Sequence, residues 1–410
     1  MIKRLSKSIR EYRTVTILTP IMMIGEVVCE CIIPMITKSL IDNIQDGCSM
    51  DVITRYGIGL LGMAILSLLF GSIAGWLCAT ASAGFAKNLR HDLFYKVQEY
   101  SFSNIDKFST SSLVTRLTTD VTNVQMAFMM IIRIAVRSPL MLIFAFIMSF
   151  SVGKKLAWIF AGFIPFLGFF LGFIIYKVMP LFHAVFKKYD NLNNSVQENI
   201  KGMRVVKSFV REDYEKEKFH AASDDVRKDF TKAETILAFN SPLMQFCTYC
   251  SLILISYFAS KLIVSTHGTY LNIGSLTSMI TYSMQILMSL MMLSMIFVML
   301  TLSSASAKRI AEVLDETSDL RNPDEPVMTV PNGSIDFENV SFKYSLKAEK
   351  MALSNINLHI DSGMTVGIIG GTGSSKSSLI QLISRLYDVT EGAVKVGGID
   401  VRDYDLETLR

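Results

Sequence analysis

The sequence predicts an all-α polytopic membrane domain, six transmembrane helices with long cytoplasmic extensions, followed by the N-terminal part of an α/β domain with a phosphate-binding loop. Three observations carry this. Half of the 410 residues are hydrophobic and 19% are charged, a balance too apolar for a pair of soluble domains. The apolar residues gather in stretches of about 20 or more, the length that crosses a bilayer core as helix. Near the C-terminus stands the glycine-rich run Gly370-Gly371-Thr372-Gly373-Ser374-Ser375-Lys376-Ser377-Ser378.

In chain order, Met1–Arg13 is basic and amphipathic, with Lys3, Arg4, Lys7, Arg10 and Arg13 beside Leu5 and Ile9. It reads as a helix lying on the membrane surface, with no cleavable signal peptide. Six spans follow at about 14–37, 57–84, 127–150, 156–180, 242–265 and 273–302. Lys and Arg concentrate in the N-terminus and in the connections 85–126 and 181–241, and are few in 40–55, 151–155 and 266–272. The positive-inside rule therefore puts the N-terminus, both long connections and everything after residue 303 in the cytoplasm of a multi-pass protein of the cell membrane. The net charge of +4 reflects that topology and does not indicate nucleic-acid binding. Cys29, Cys31, Cys48, Cys78, Cys247 and Cys250 fall mostly inside spans, so no disulfide framework is implied. Cys247-x-x-Cys250 reads as two small apolar residues on one helix face.

Both long connections are helical in pattern, as Val196, Ile200, Met203, Val206 and Val210 show in the second. Their tips are expected near Phe108–Leu113, where hydroxyls supply caps, and near Phe209–Tyr214. A short helix at each tip would dock onto a soluble domain. Span six continues helically through Ser303–Val313. The stretch Thr317–Pro331, with Pro323, Pro326 and Pro331, reads as linker. Domain limits follow at 1–310 (membrane domain), 311–333 (linker) and 334–410 (the α/β part that carries the glycine loop).

Within that last part, Ser334–Phe342 and Leu353–Ile360 alternate as strands do. Met364–Ile369 reads as a short buried strand and Leu379–Ile383 as a helix. Strand, glycine loop, lysine, hydroxyl and helix in that order form a phosphate cradle. Residues Gly370, Gly371, Thr372, Gly373, Ser374 and Ser375 would bring backbone N–H groups to the β-phosphate, and the helix N-terminus adds positive potential. Lys376 would reach the β- and γ-phosphates of ATP, Ser377 would hold Mg²⁺, and Ser378 would touch the α-phosphate or cap the helix. The pattern G-x-x-x-x-G-K-[ST] asks for glycine where this chain has Ser375, so a left-handed backbone there would cost about 1–2 kcal/mol.

Ionisable residues at membrane depth are costly and by default functional. Glu26 and Glu30 lie at i, i+4 in span one, and Arg133 and Arg137 at i, i+4 in span three. Counted from the outer span ends near Asp42 and Gly153, Glu26 and Arg137 are each about 16 residues deep, roughly 24 Å at helical rise. A Glu26–Arg137 contact, or one through Glu30, is therefore expected; acids exposed to a watery vestibule are the rival arrangement. Met284, Met288, Met291, Met292, Met295 and Met299 crowd span six, as an adaptable wall for varied substrates or as ordinary packing.

Taken together these residues resemble an ATP-binding cassette exporter of the half-transporter type, a fused six-span permease and ATP-binding domain of bacterial multidrug or lipid character. Ser109–Asp120 is similar to the family's first intracellular connection, Glu198–Glu212 to its second, and Ala305–Asp315 to its exit from span six. Phe337–Tyr344 is similar to the opening strand, which puts the adenine-stacking aromatic at Tyr344; Arg385–Val401 is similar to the strands after the loop helix, with Val389 where proline is usual. The resemblance implies ATP and Mg²⁺ as cofactors, a homodimer or a heterodimer with a second half-transporter, and ATP-driven export of a small molecule, lipid or peptide. It also implies a chain truncated within the ATP-binding domain. The family's glutamine loop, signature loop, catalytic glutamate and switch histidine are not in this sequence, so it holds no catalytic residue and would not hydrolyse ATP unaided. The alternatives are a non-hydrolysing regulatory subunit that binds ATP and a truncated remnant.

Overall fold

The computed structural model describes residues 2–266, 268–345 and 349–410. After a short helix α1 (Ile2–Leu5), six long helices carry the apolar stretches: α2 (Arg13–Gln45), α3 (Met50–Gln98), α6 (Val121–Val152), α7 (Lys154–Ser208), α9 (Asn240–Ser265) and α10 (Ile273–Asp315). All six are long and apolar enough to cross a membrane, so this is a multi-pass membrane protein. Two short helices, α4 (Phe102–Phe108) and α5 (Thr110–Thr115), lie between α3 and α6, and α8 (Glu212–Ala238) returns from α7 to α9.

The first tip forms as its hydroxyls dictate. Ser101 and Asn104 make a reciprocal capping box at the start of α4, and the Ser109 side chain accepts from the Ser112 amide to start α5. Each satisfies amides that a helix N-terminus leaves unbonded. At the second tip the chain turns over Phe209–Arg211, with Phe209, Val210 and Tyr214 exposed.

The N-terminal segment is helical as expected but less regular. A 3₁₀ stretch, Ser6–Tyr12, is broken at Arg10 (φ 41°, ψ −118°). Two of its basic residues bond to protein: Arg4 donates to the Leu314 carbonyl at 3.0 Å and pairs with Asp315, and Arg10, together with Ser8, engages Asp92. The last carbonyls of α10 have no partner inside their helix and carry the negative end of its dipole, which is what draws Arg4.

By contacts the chain divides into two units. One comprises Met1–Arg10, Gly84–Gln125 and Ser303–Arg410; the other comprises Glu11–Ala83 and Met126–Leu302. In the first, β1 (Ile335–Phe342), β2 (Leu353–Ile360), β3 (Glu391–Val396) and β4 (Ile399–Asp400) form an antiparallel sheet in the order β2-β1-β3-β4, with α11 (Lys376–Ile383) and α12 (Leu406–Leu409) beside it. Phe337 pairs with both Leu358 and Val394, and Phe337, Val340, Phe342, Leu382, Val394 and Tyr404 make its core. Gly392, at φ 84°, has to be glycine, because a Cβ there would sit 2.4 Å from the Glu338 and Asn339 carbonyl oxygens.

Two segments of this unit that are far apart in sequence are held together by charge. Arg309 on α10 grips Asp120 with two hydrogen bonds, at 2.8 and 2.5 Å, and Arg116 donates to the Arg309 carbonyl at 2.6 Å. The first tip also meets the sheet domain: the Tyr387 hydroxyl bonds to Asp106 at 2.9 Å, and its ring lies 6.0 Å from that of Phe102. Burial, then the Asp106 contact, pushes the Tyr387 phenol above its usual pKa.

The expected strand Met364–Ile369 does not form. These residues are irregular, with Ile369 99% exposed. A buried strand needs partners along its edges and cover on both faces, and among the described residues no strand pairs with it.

In the second unit the core runs through Val27, Cys31, Met141, Phe160, Met279 and Tyr282. Pro34, inside α2, has no N–H to give the Glu30 carbonyl. Side chains of α10 supply donors around that gap: Gln285 Nε2 to the Glu30 carbonyl (3.3 Å), the Tyr282 hydroxyl to Cys31 (2.8 Å) and Ser278 Oγ to Pro34 (2.7 Å).

Candidate functional site

Gly373 (φ 83°) and Ser375 (φ 61°, ψ 25°) both take left-handed conformations, and α11 starts immediately afterwards. Serine therefore occupies the strained geometry that the glycine of the pattern would adopt freely. No side chain caps α11, so the amides of its first turn keep their donors for an outside acceptor. This uncapped N-terminus fits an anionic phosphate group.

Lys376 curls back over the loop. Its ammonium donates to the Gly370 carbonyl at 2.8 Å, the Gly371 carbonyl at 2.7 Å and Ser374 Oγ at 3.2 Å. Thr372 and Ser377 are exposed. Ser378 is buried, and its hydroxyl meets that of Tyr344 at 2.6 Å. The Tyr344 hydroxyl also reaches Gln381, and its ring packs edge-on against Phe342 and Tyr387, with centroids 4.8 and 5.2 Å away. One flank of Tyr344 is thus fixed, while the residue stays 47% exposed. Among the described residues no group of three His, Cys, Asp or Glu side chains suits a metal ion; an Mg²⁺ here would rest on hydroxyl and phosphate oxygens.

A second site lies within the membrane helices. Cavities of about 300 to 1,000 Å³ suit a drug-sized ligand; the one between α2, α6 and α10 measures about 670 Å³. α2 contributes Glu30, Ile33 and Pro34 to its wall, α6 Met129, Met130, Arg133, Ile134, Arg137, Ser138 and Met141, and α10 Thr281, Gln285, Met288, Ser289 and Met292. Each set repeats at three or four residues, one face per helix.

Arg137 spans both acids, with Nη2 2.6 Å from Glu30 Oε1 and Nη1 3.4 Å from Glu26 Oε1. Glu30 is thus the nearer partner. Glu26 is buried against Gly71, whose missing Cβ would lie 3.2 to 3.3 Å from the carboxylate, and its Oε2 has no hydrogen-bond partner among the described residues. Of the span-six methionines, Met288 and Met292 line the cavity, whereas Met284, Met291 and Met295 are exposed elsewhere. Sequence reading missed Met129, Met130 and Met141; their helical spacing around Arg133 and Arg137 was the available signal.

Comparison with known proteins gives a consistent picture. The family model described as the ABC transporter transmembrane region matches residues 16–291, and the model described as ABC transporter matches residues 353–410. The chain is 31% identical over 390 residues to the uncharacterized ABC transporter ATP-binding protein YfiB of Bacillus subtilis (strain 168), covering 95% of this chain and 67% of that protein. It is 31% identical over 407 residues to the uncharacterized ABC transporter ATP-binding protein Rv1273c of Mycobacterium tuberculosis (strain H37Rv), covering 99% and 69%. It is 24% identical over 408 residues to the ATP-dependent lipid A-core flippase of Vibrio vulnificus (strain YJ016), covering 100% and 69%.

Proposed function

We propose that this chain, which belongs to the ABC transporter family, is the permease and phosphate-loop part of an ATP-driven exporter of the cell membrane. The domain limits proposed are those of the sequence: 1–310, 311–333 and 334–410. The observation that carries the reading is the uncapped N-terminus of α11 behind a glycine loop, in one chain with six membrane helices. ATP supplies the phosphate charge and the free energy of its hydrolysis. The residues here would hold it: loop amides from Gly371 to Ser377 around the phosphates, Lys376 exchanging its loop carbonyls for phosphate oxygens, Ser377 with Mg²⁺, and the exposed part of the Tyr344 ring against the base.

A single cassette portion offers one phosphate loop, so the working unit is a dimer with a second half-transporter, identical or different. The exposed apolar second tip, Phe209, Val210 and Tyr214, supports this reading, since it provides a docking surface for the partner's cassette. The cytoplasmic side holds both tips and the loop, as the distribution of Lys and Arg indicates. The cavity between α2, α6 and α10 is the proposed substrate site.

The test is binding of a fluorescent ATP analogue with Mg²⁺ to the protein in nanodiscs. Lys376→Ala is expected to weaken binding at least tenfold while membrane insertion is unchanged, the loss of about 1.4 kcal/mol or more that one charge-assisted phosphate contact provides. Unchanged binding would refute the assignment.

A further inference from the structure

Of the four ionisable side chains around the membrane cavity, three are committed to one another. Arg137 is shared between Glu30 and Glu26, and Glu26 is turned away from the cavity into the packing against Gly71. Arg133 is different. It lies one turn along α6 from Arg137, lines the cavity, and makes no side-chain hydrogen bond or ion pair among the described residues. Glu26 is within Coulombic reach of it but does not touch it.

An unpaired guanidinium at membrane depth is costly, and a ligand that brings the opposite charge removes that cost. The guanidinium fork is also suited to two oxygens of one anionic group. The rest of the wall sets the other half of the ligand. Met129, Met130, Met141, Met288 and Met292 present flexible, polarizable thioethers, which adapt to hydrocarbon of varied shape without directional demands.

We propose that this cavity selects an amphiphile with an oxyanion head group, phosphate, sulfonate or carboxylate, which Arg133 pairs, and a hydrocarbon body that the methionines cover. The proposal rests on the reading of this cavity as the substrate site and deepens it. Arg137 then holds the acids and shapes the wall, while Arg133 determines the charge of the ligand. Two sources could bring the head group to Arg133, a membrane lipid and a water-soluble amphiphile; the recognition chemistry is the same.

Photo-crosslinking without nucleotide tests this, so a failure of ATP binding would sink the exporter reading and leave this result intact. Alkyl probes carrying a diazirine and a phosphate, trimethylammonium or uncharged head are applied to the protein in phosphatidylcholine nanodiscs, and labelling of peptides from α6 and α10 is quantified. The phosphate probe is expected to label at least five times more than the trimethylammonium probe. Arg133→Gln should remove at least four fifths of the phosphate labelling and leave the uncharged probe unchanged, and Arg133→Lys should keep about half. Equal or stronger labelling by the cationic probe overturns the proposal, as does phosphate labelling within twofold of wild type in Arg133→Gln. The comparison of head groups on the wild-type protein stands even if a variant fails to fold. A two-chain phosphatidic acid probe and a water-soluble octyl phosphate probe then separate the sources; labelling by either supports the chemistry, and labelling by neither overturns it.

Discussion

Removing Arg309 should cost more than removing Asp120, although the two make one ion pair. Asp120 is completely buried, while the Arg309 side chain is 46% exposed. Arg309→Ala strands a carboxylate where water cannot reach it, and breaking a buried pair in this way costs about 3–5 kcal/mol. Asp120→Ala leaves a guanidinium that can turn to solvent, so the loss is the net value of a charge-assisted hydrogen-bonded pair, about 1.5–3 kcal/mol, toward the lower end because Arg309 is already half in water. The double variant has no stranded charge and should resemble Asp120→Ala, giving a coupling as large as the whole Arg309→Ala loss, about 3–5 kcal/mol. Thermal inactivation in detergent, followed by intrinsic fluorescence and by loss of nucleotide binding, reads the order. Wild type should be most stable, Asp120→Ala and the double variant intermediate, and Arg309→Ala least. Asp120→Ala equal to or below Arg309→Ala, or a double variant showing the sum of both losses, would refute the reasoning.

Two further outcomes are expected. Ser375→Gly should relieve the left-handed strain and raise the stability of the nucleotide-binding part by about 1 kcal/mol, with affinity for nucleotide equal or higher; a clear loss of affinity would show that the serine side chain has a positive role. His359 on β2 contacts Asp336, its partner across the sheet, and Asp361 at 3.1 Å, and these hydrogen bonds raise its pKa above the usual value. Its contribution is therefore full below about pH 6.5 and fades as pH rises through the higher folded value, so the melting difference between wild type and His359→Gln should shrink from about pH 5.5 to about pH 9. A difference independent of pH would refute it.

Much of the fold is legible because the bilayer imposes one-dimensional rules. Length and hydropathy gave α2, α3, α6, α7, α9 and α10, and alternation gave β1 and β2. The Ser109 cap and the turn at Phe209 could be placed from local chemistry, since a hydroxyl caps the helix that begins within three residues of it. The strand at 364–369 could not be read reliably, because an apolar run says only that burial is available and not which strands will pair with it. The break at Arg10 could not be read for a related reason: the acids that Arg4 and Arg10 meet, Asp315 and Asp92, are far away in sequence.

At the sites the same division holds. The sequence alone determined which residue types are present and in what local order: a lysine and hydroxyls after glycines at the start of a helix, and two acids and two arginines at helical spacing within spans. Such features depend on neighbours a few residues apart, whose relative positions the backbone geometry already sets. Only the tertiary structure decided that Arg137 takes both acids while Arg133 is left to the cavity, that α6 as well as α10 supplies the methionines, and that Tyr344 closes on Ser378. These follow from which helix faces meet and at what height, and side-chain pairing across tens or hundreds of residues is settled by that packing, because a charge at membrane depth bonds to whatever partner the neighbouring helix brings within about 3 Å.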